Sequence, residues 1–176
     1  MRWKVGGAVL LAGALLVALN VAVPGMLVVP RPAPADPCSG QDAALVVDTG
    51  SKRMWVCQQG VAVEAFRVGL GRGGFGKRAQ GDNKTPLGEY KLGAPRVSPR
   101  FHLFIPVGYP TAEQWQRGFR GGGVGVHGPT SWIRWLPGGA TWFNRTRGCI
   151  ERGSTSEIEK VAQWVRDGKV KRILIQ

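Results

Sequence analysis

The chain has 176 residues, 24 basic against 11 acidic, a formal net charge of +13 and three cysteines. That length holds one ordinary domain with its own core plus an appendage, and it excludes a two-domain enzyme. The charge favours anionic partners such as acidic polymers, peptides with free carboxylates or acidic lipid; nucleic acid is set aside because no aromatic and basic reader motif accompanies the charge.

At the N-terminus, Arg2 and Lys4 precede an uncharged stretch from Val5 to Val29, longer than a signal-peptide core and long enough to cross a bilayer. Residues 1–29 therefore read as a signal peptide or membrane anchor, with the inner membrane as a partner. Positive charge ahead of the span places the remainder outside the cytoplasm. Ala33-Pro34-Ala35 is a small-x-small cleavage site, so removal and retention both stay open. Pro30, Pro32, Pro34 and Pro37 make residues 30–42 a semi-rigid linker.

The body, residues 43–176, is expected to be mainly β with a few helices. Short β-branched runs from residue 43 to 71 are separated by Gly50-Ser51 and Gln59-Gly60, which are hairpin signals. Further strands are expected at 89–92, 102–107, 124–127 and 172–175. Gly71, Gly76 and Lys77 imitate a phosphate-binding loop, but Arg78 stands where a hydroxyl would hold magnesium and no helix follows, so no nucleotide is expected. Thr111 and Gln114 can cap a short helix around Trp115. Ser154 and Glu157 form a capping box ahead of Ile158, Val161, Ala162 and Val165, and Asp167-Gly168 supplies the stop.

The cysteines divide two and one. Outside the cytoplasm Cys38 and Cys57 can pair, leaving Cys149 as the free thiol; the alternative is Cys57 as a strand residue and Cys38 unpaired. Cys149 lies in Thr146-Arg147-Gly148-Cys149-Ile150, and Val126-His127-Gly128 lies upstream. A thiol of ordinary pKa near ~8.5 needs a base to become a strong nucleophile at neutral pH, and the chain has two histidines. His127 is the expected general base, whereas His102 sits in an apolar run and reads as a packing residue. The bland reading of both Cys149 and His127 is a buried small residue and a structural histidine. A glycine before the cysteine suits a tight turn that aims the N–H groups of Gly148, Cys149 and Arg147 at a carbonyl oxygen. No short ligand spacing marks a metal site, and no cofactor is expected.

His-Gly followed by the Thr-Arg-Gly-Cys turn resembles the L,D-transpeptidase catalytic domain family (YkuD-like), which remodels bacterial peptidoglycan. Residues 44–48, 54–57 and 66–71 are similar to its opening strands, residues 81–90 to its following loop and strand, and Tyr109-Pro110 to an element of one branch. The resemblance implies a β-sandwich or barrel, peptidoglycan peptides as partners, and the Gly128 carbonyl as the group that orients His127. Arg147 stands where many members carry histidine. Tyr109, Trp132, Arg134 and Arg147 are the expected substrate contacts, Tyr109 with an interior role as its alternative. Trp132, Trp135, Trp142 and Phe143, interleaved with Arg134 and Arg145, are expected to form a lid that excludes water; a loop core or a membrane-surface patch are the rival readings. The implied activity is cysteine acyl transfer through a thioester. A peptidase using water as acceptor, or a non-catalytic wall-binding module, are the alternatives.

Overall fold

The computed structural model describes residues 36–136 and 138–176. The predicted leader, 1–29, and the linker up to residue 35 lie outside the described residues. Among the described residues no helix is long and apolar enough to cross a membrane.

Among the described residues there are nine strands: β1 (Ala44–Asp48), β2 (Arg53–Gln58), β3 (Val61–Gly69), β4 (Gly88–Lys91), β5 (Arg96–Ser98), β6 (His102–Pro106), β7 (Gly125–His127), β8 (Ile150–Arg152) and β9 (Arg172–Ile175). Strands β2 and β3 show the alternation of buried and exposed positions of a sheet with one covered face, whereas β1, β7 and β8 are buried almost throughout. The nine form one curled sheet in the order β4-β9-β1-β2-β3-β8-β7-β6-β5. A bridge between Leu92 and Val107 brings the end of β4 onto the end of β6, so the sheet curls back on itself. The fold class is as expected: mainly β, with two short α-helices, α1 (Ala112–Gln116) and α2 (Thr155–Arg166).

The core inside the curl is built from Leu45, Val47, Met54, Val56, Ile105, Ile150 and Ile173, each fully buried, and the apolar side of α2 closes it with Ile158, Val161 and Ala162. Each such side chain contributes roughly 1.5–3 kcal/mol by leaving water. Helix α2 starts where the sequence indicates: the Ser154 hydroxyl accepts the Glu157 N–H at 3.2 Å. The reciprocal half of the expected capping box is diverted. The Glu157 carboxylate instead accepts from the Gly153 N–H and from the buried Arg152 guanidinium, both at 2.9 Å. Arg152 also lies over the Phe66 ring at 4.0 Å, so one buried cation joins β3, β8 and α2. The full box is found at α1, where Thr111 and Gln114 cap each other.

A second small cluster lies outside the curl, where Cys38, Cys57 and Val46 are fully buried. Cys38 and Cys57 are disulfide-bonded, with Cα atoms 5.2 Å apart. The bond fastens the residues just before β1 onto β2.

Candidate active site

Strands β7 and β8 run parallel, with Val126 opposite Ile150 and His127 opposite Glu151. Side chains alternate faces along a strand. Val126 and Ile150 point into the core, where both are fully buried. Cys149, just before β8, therefore shares the opposite face with His127 and Glu151, diagonal to the imidazole. Cys149 and His127 both line a cleft of about 390 Å³.

The turn that presents Cys149 is held by one hydroxyl. Thr146 Oγ1 donates to the Cys149 carbonyl at 2.7 Å and accepts the Gly148 N–H at 3.1 Å. Gly148 has φ +120°, and a Cβ there would sit 2.5 Å from the Lys84 carbonyl oxygen. Only glycine meets both the backbone angle and the close approach. The thiol itself is half-buried and donates to the Gly123 carbonyl at 3.6 Å. Burial pushes its pKa above the ordinary thiol value; the Glu151 carboxylate adds to the rise, while a backbone hydrogen bond at Gly125 and the cations Lys77 and Arg100 oppose it.

His127 is 2% exposed. Its Nδ1 lies 2.7 Å from the Gly128 carbonyl oxygen. A carbonyl can only accept, so Nδ1 carries the proton and the lone pair is on Nε2. Phe101 stacks on the ring with centroids 4.0 Å apart, and the Arg100 guanidinium caps Phe101 from 5.1 Å. Burial pulls the imidazole pKa down to about 4; the Gly128 bond opposes the fall, and Arg145 and Arg100 reinforce it. At neutral pH the cleft therefore carries a neutral imidazole and a neutral thiol.

The other expected site residues separate. Arg147 is exposed and lines the cleft, as does Trp132. The Gly148 N–H is committed to Thr146, so it is a fastening of the turn and not a free donor. Tyr109 is a correction: it is buried, its hydroxyl donates to the Lys77 carbonyl at 3.1 Å, and it does not border the cleft. Arg134 is another. Its guanidinium donates to the carbonyls of Pro99 and Pro129 at 3.1 and 3.4 Å, which ties the tryptophan loop to the segment before β6. Of the aromatic group expected as a lid, Trp132 alone lines the cleft. Trp142 borders a separate hollow with Lys52 and Arg67, and Trp132, Trp135, Trp142 and Phe143 are all more than half exposed, which removes the loop-core reading. His102 is not a packing residue: its backbone has φ +66°, and its half-exposed ring pairs with Glu159 of α2 at 2.5 Å.

The imitation phosphate loop is folded on itself. Lys77 is buried and its ammonium meets Asp82 at 2.7 Å. Burial alone would raise the Asp82 carboxyl, but Lys77 and the N–H groups of Ala79, Arg78 and Lys84 outweigh it and hold the group well below the usual carboxylate range.

Among the contributors to the cleft that escape the sequence reading, three are charged: Arg72, Arg100 and Glu151. Glu151 is 1% exposed and accepts two hydrogen bonds from Arg145, at 2.6 and 2.9 Å. Arg145 in turn donates to Thr130 and lies 4.9 Å beneath the Trp132 ring. The available signal for Glu151 is its position two residues after Cys149, the same face of any strand that begins there. Nothing in the sequence marks Arg72 or Arg100, which arrive from distant loops.

The sequence profile of the L,D-transpeptidase catalytic domain (YkuD) matches residues 42–175. Among solved structures, the helical cell shape determining protein Pgp2 from Campylobacter jejuni is 27% identical with a TM-score of 0.61, covering 76% of this chain and 46% of that one. Bdellovibrio bacteriovorus Bd1075 is 20% identical, TM-score 0.56, over 76% of this chain and 47% of that one. An Enterococcus faecium L,D-transpeptidase is 16% identical, TM-score 0.51, over 77% and 50%; at these identities the last two speak to the fold alone. The chain spans about half the length of these solved relatives. A comparison with curated proteins found no match. With a profile match across its β body and the same architecture as these relatives, the chain belongs to the L,D-transpeptidase catalytic domain family.

Proposed function

We propose that the chain is a cysteine-dependent L,D-transpeptidase that acts on peptidoglycan stem peptides through a thioester acyl-enzyme. The observation that carries this reading is the shared cleft face of Cys149 and His127, with the Nε2 lone pair left free by the Nδ1 bond to Gly128. In the proposed sequence, Nε2 takes the Cys149 proton as sulfur attacks the peptide carbonyl, forming the C–S bond and a tetrahedral oxyanion. The N–H groups of Arg147 and Cys149 donate to no protein acceptor among the described residues, and they are the proposed donors to that oxygen. Collapse breaks the amide C–N bond, and the imidazolium returns its proton to the leaving amine. An acceptor amine then attacks the thioester and gives its proton to Nε2; collapse forms the new amide, breaks the C–S bond, and the departing sulfur takes that proton back from the imidazolium as the thiol.

Arg72, Arg100, Arg145 and Arg147 line the cleft against one carboxylate, Glu151, which suits anionic wall peptides. An extracytoplasmic setting is supported by the Cys38–Cys57 disulfide, since such bonds persist in oxidising compartments. Residues 1–29 are the proposed export signal or inner-membrane anchor and 43–176 the catalytic domain; a role in cell shape is suggested by the name of the Pgp2 relative.

Incubation with purified muropeptides and mass analysis of the products tests the reading. Cross-linked dimers that vanish with Cys149→Ala are expected. Trimmed monomers would make the protein a peptidase with the same nucleophile, and unchanged muropeptides would overturn both.

A further inference from the structure

Side chains alternate faces along a strand, so Phe101 should join Leu103 and Ile105 on the core side of β6, and His102 should join Phe104 on the other. Leu103 and Ile105 are indeed in the core, and Phe104 stands opposite His127 in the β6–β7 register, its ring 12° from parallel to the imidazole. The two residues before Leu103 are exchanged. Phe101 lines the cleft and is stacked on the imidazole with centroids 4.0 Å apart, whereas His102 turns away to meet Glu159 of α2.

The exchange has a backbone cause. His102 is at φ +66°, a region that a residue bearing a Cβ enters at a steric cost. The Leu103 N–H donates back to the Phe101 carbonyl at 2.8 Å, closing a three-residue turn around His102. Such a conformation persists only where the surroundings over-determine it, and here they hold it from two sides. His102 Nε2 donates to a Glu159 carboxylate oxygen at 2.5 Å, which ties the turn to α2. The Arg100 carbonyl accepts the Ser131 N–H at 3.1 Å and the Leu103 carbonyl accepts the Gly128 N–H at 3.2 Å, which tie it to the segment after His127. A Cβ on Gly128 would sit 2.6 Å from the Phe101 carbonyl oxygen, so the turn rests directly on the residue whose own carbonyl holds His127 Nδ1.

We infer that His102 is a positioning residue for His127: its left-handed backbone, held by the bond to Glu159, sets Phe101 against the imidazole and keeps that ring buried and fixed in orientation. The consequence for acyl transfer rests on the proposed function; the consequence for the ring does not. A residue that cannot hold positive φ at position 102 returns Phe101 toward the core side, uncovers one face of the imidazole and admits water to it.

The chain has two histidines, so the imidazole signals of any His102 variant belong to His127 alone. NMR titration of the full chain with isotope-labelled histidine reads the His127 midpoint, which burial holds at about 4. His102→Val, β-branched and a poor fit to positive φ, is expected to move that midpoint toward the ordinary value, to about 5 or higher. It is also expected to lower kcat for muropeptide cross-linking about tenfold or more with KM little changed, the effect of a misplaced base. His102→Gly, which enters positive φ freely, is expected to recover most of both, and Glu159→Ala to shift the His127 midpoint part of the way. A loss of stability alone would lower the melting temperature without moving the midpoint of the folded protein. An unmoved midpoint in folded His102→Val, or equal shifts in the valine and glycine variants, would overturn the inference; should the valine variant not fold, an unmoved midpoint in Glu159→Ala would do so. If the midpoints move as expected but the wild type cross-links no muropeptide, the positioning role stands and the transpeptidase reading falls.

Discussion

A thiol and an imidazole side by side can rest as an ion pair or as two neutral groups, and burial decides between them at Cys149 and His127. Both charged forms are disfavoured: the imidazole titrates near pH 4, and the thiol lies above its ordinary value with Glu151 close by. In the proposed mechanism the proton therefore moves during attack and not beforehand. Titration of the thiolate by its absorbance near ~240 nm is expected to give a midpoint above the ordinary ~8.5 of a free cysteine; a plateau of thiolate below pH 7 would contradict the neutral resting pair. Gly148 makes a second residue-scale claim. Alanine there meets the Lys84 carbonyl and an unfavourable φ at once, which amounts to about 2 kcal/mol or more of strain at the turn. Gly148→Ala is expected to abolish peptide turnover and lower the unfolding midpoint, whereas near-wild-type behaviour would show that the turn is not as tight as described.

The tryptophan loop is the element on which transfer and hydrolysis are expected to divide. Trp132 rests on Arg145, which is locked to Glu151 on β8, so this one indole is held at the cleft edge while Trp135 points elsewhere. A thioester kept from water survives until an amine arrives. Trp132→Ala is expected to raise the ratio of hydrolysis to transfer several-fold and Trp135→Ala to leave it unchanged; equal effects would restore the broader lid that the sequence suggests. That difference shows what was legible. The capping residues and apolar spacing of α2, and the hairpin punctuation of β1 to β3, are local signals, and those elements stand where the sequence places them. Strands β5 and β8 are three residues each, too short for alternation to register, so the face shared by Cys149, Glu151 and His127 was hidden. Arg134 and Tyr109 were misjudged for a different reason: residue type advertises hydrogen-bonding capacity, but a folded backbone carbonyl can claim it first.

At the scale of the molecule, a cleft floored by a buried neutral histidine makes stability depend on pH. The unfolded chain binds a proton on His127 near its ordinary value of 6.5, but the folded chain does not until about 4. Below pH 6.5 the unfolded state therefore holds more protons, and stability falls with pH down to about 4, by about 3 kcal/mol in all. Urea unfolding of the wild type is expected to lose that much more than His127→Gln between pH 7 and 4, and parallel losses would remove His127 as the cause. The most direct test of the proposed mechanism is intact-protein mass spectrometry after brief exposure to a stem tetrapeptide. A mass increase equal to the acyl fragment, mapped to Cys149, reversed by an amine and absent from Cys149→Ala, is the expected result; an unmodified Cys149 during turnover, or an adduct on another residue, would contradict the account.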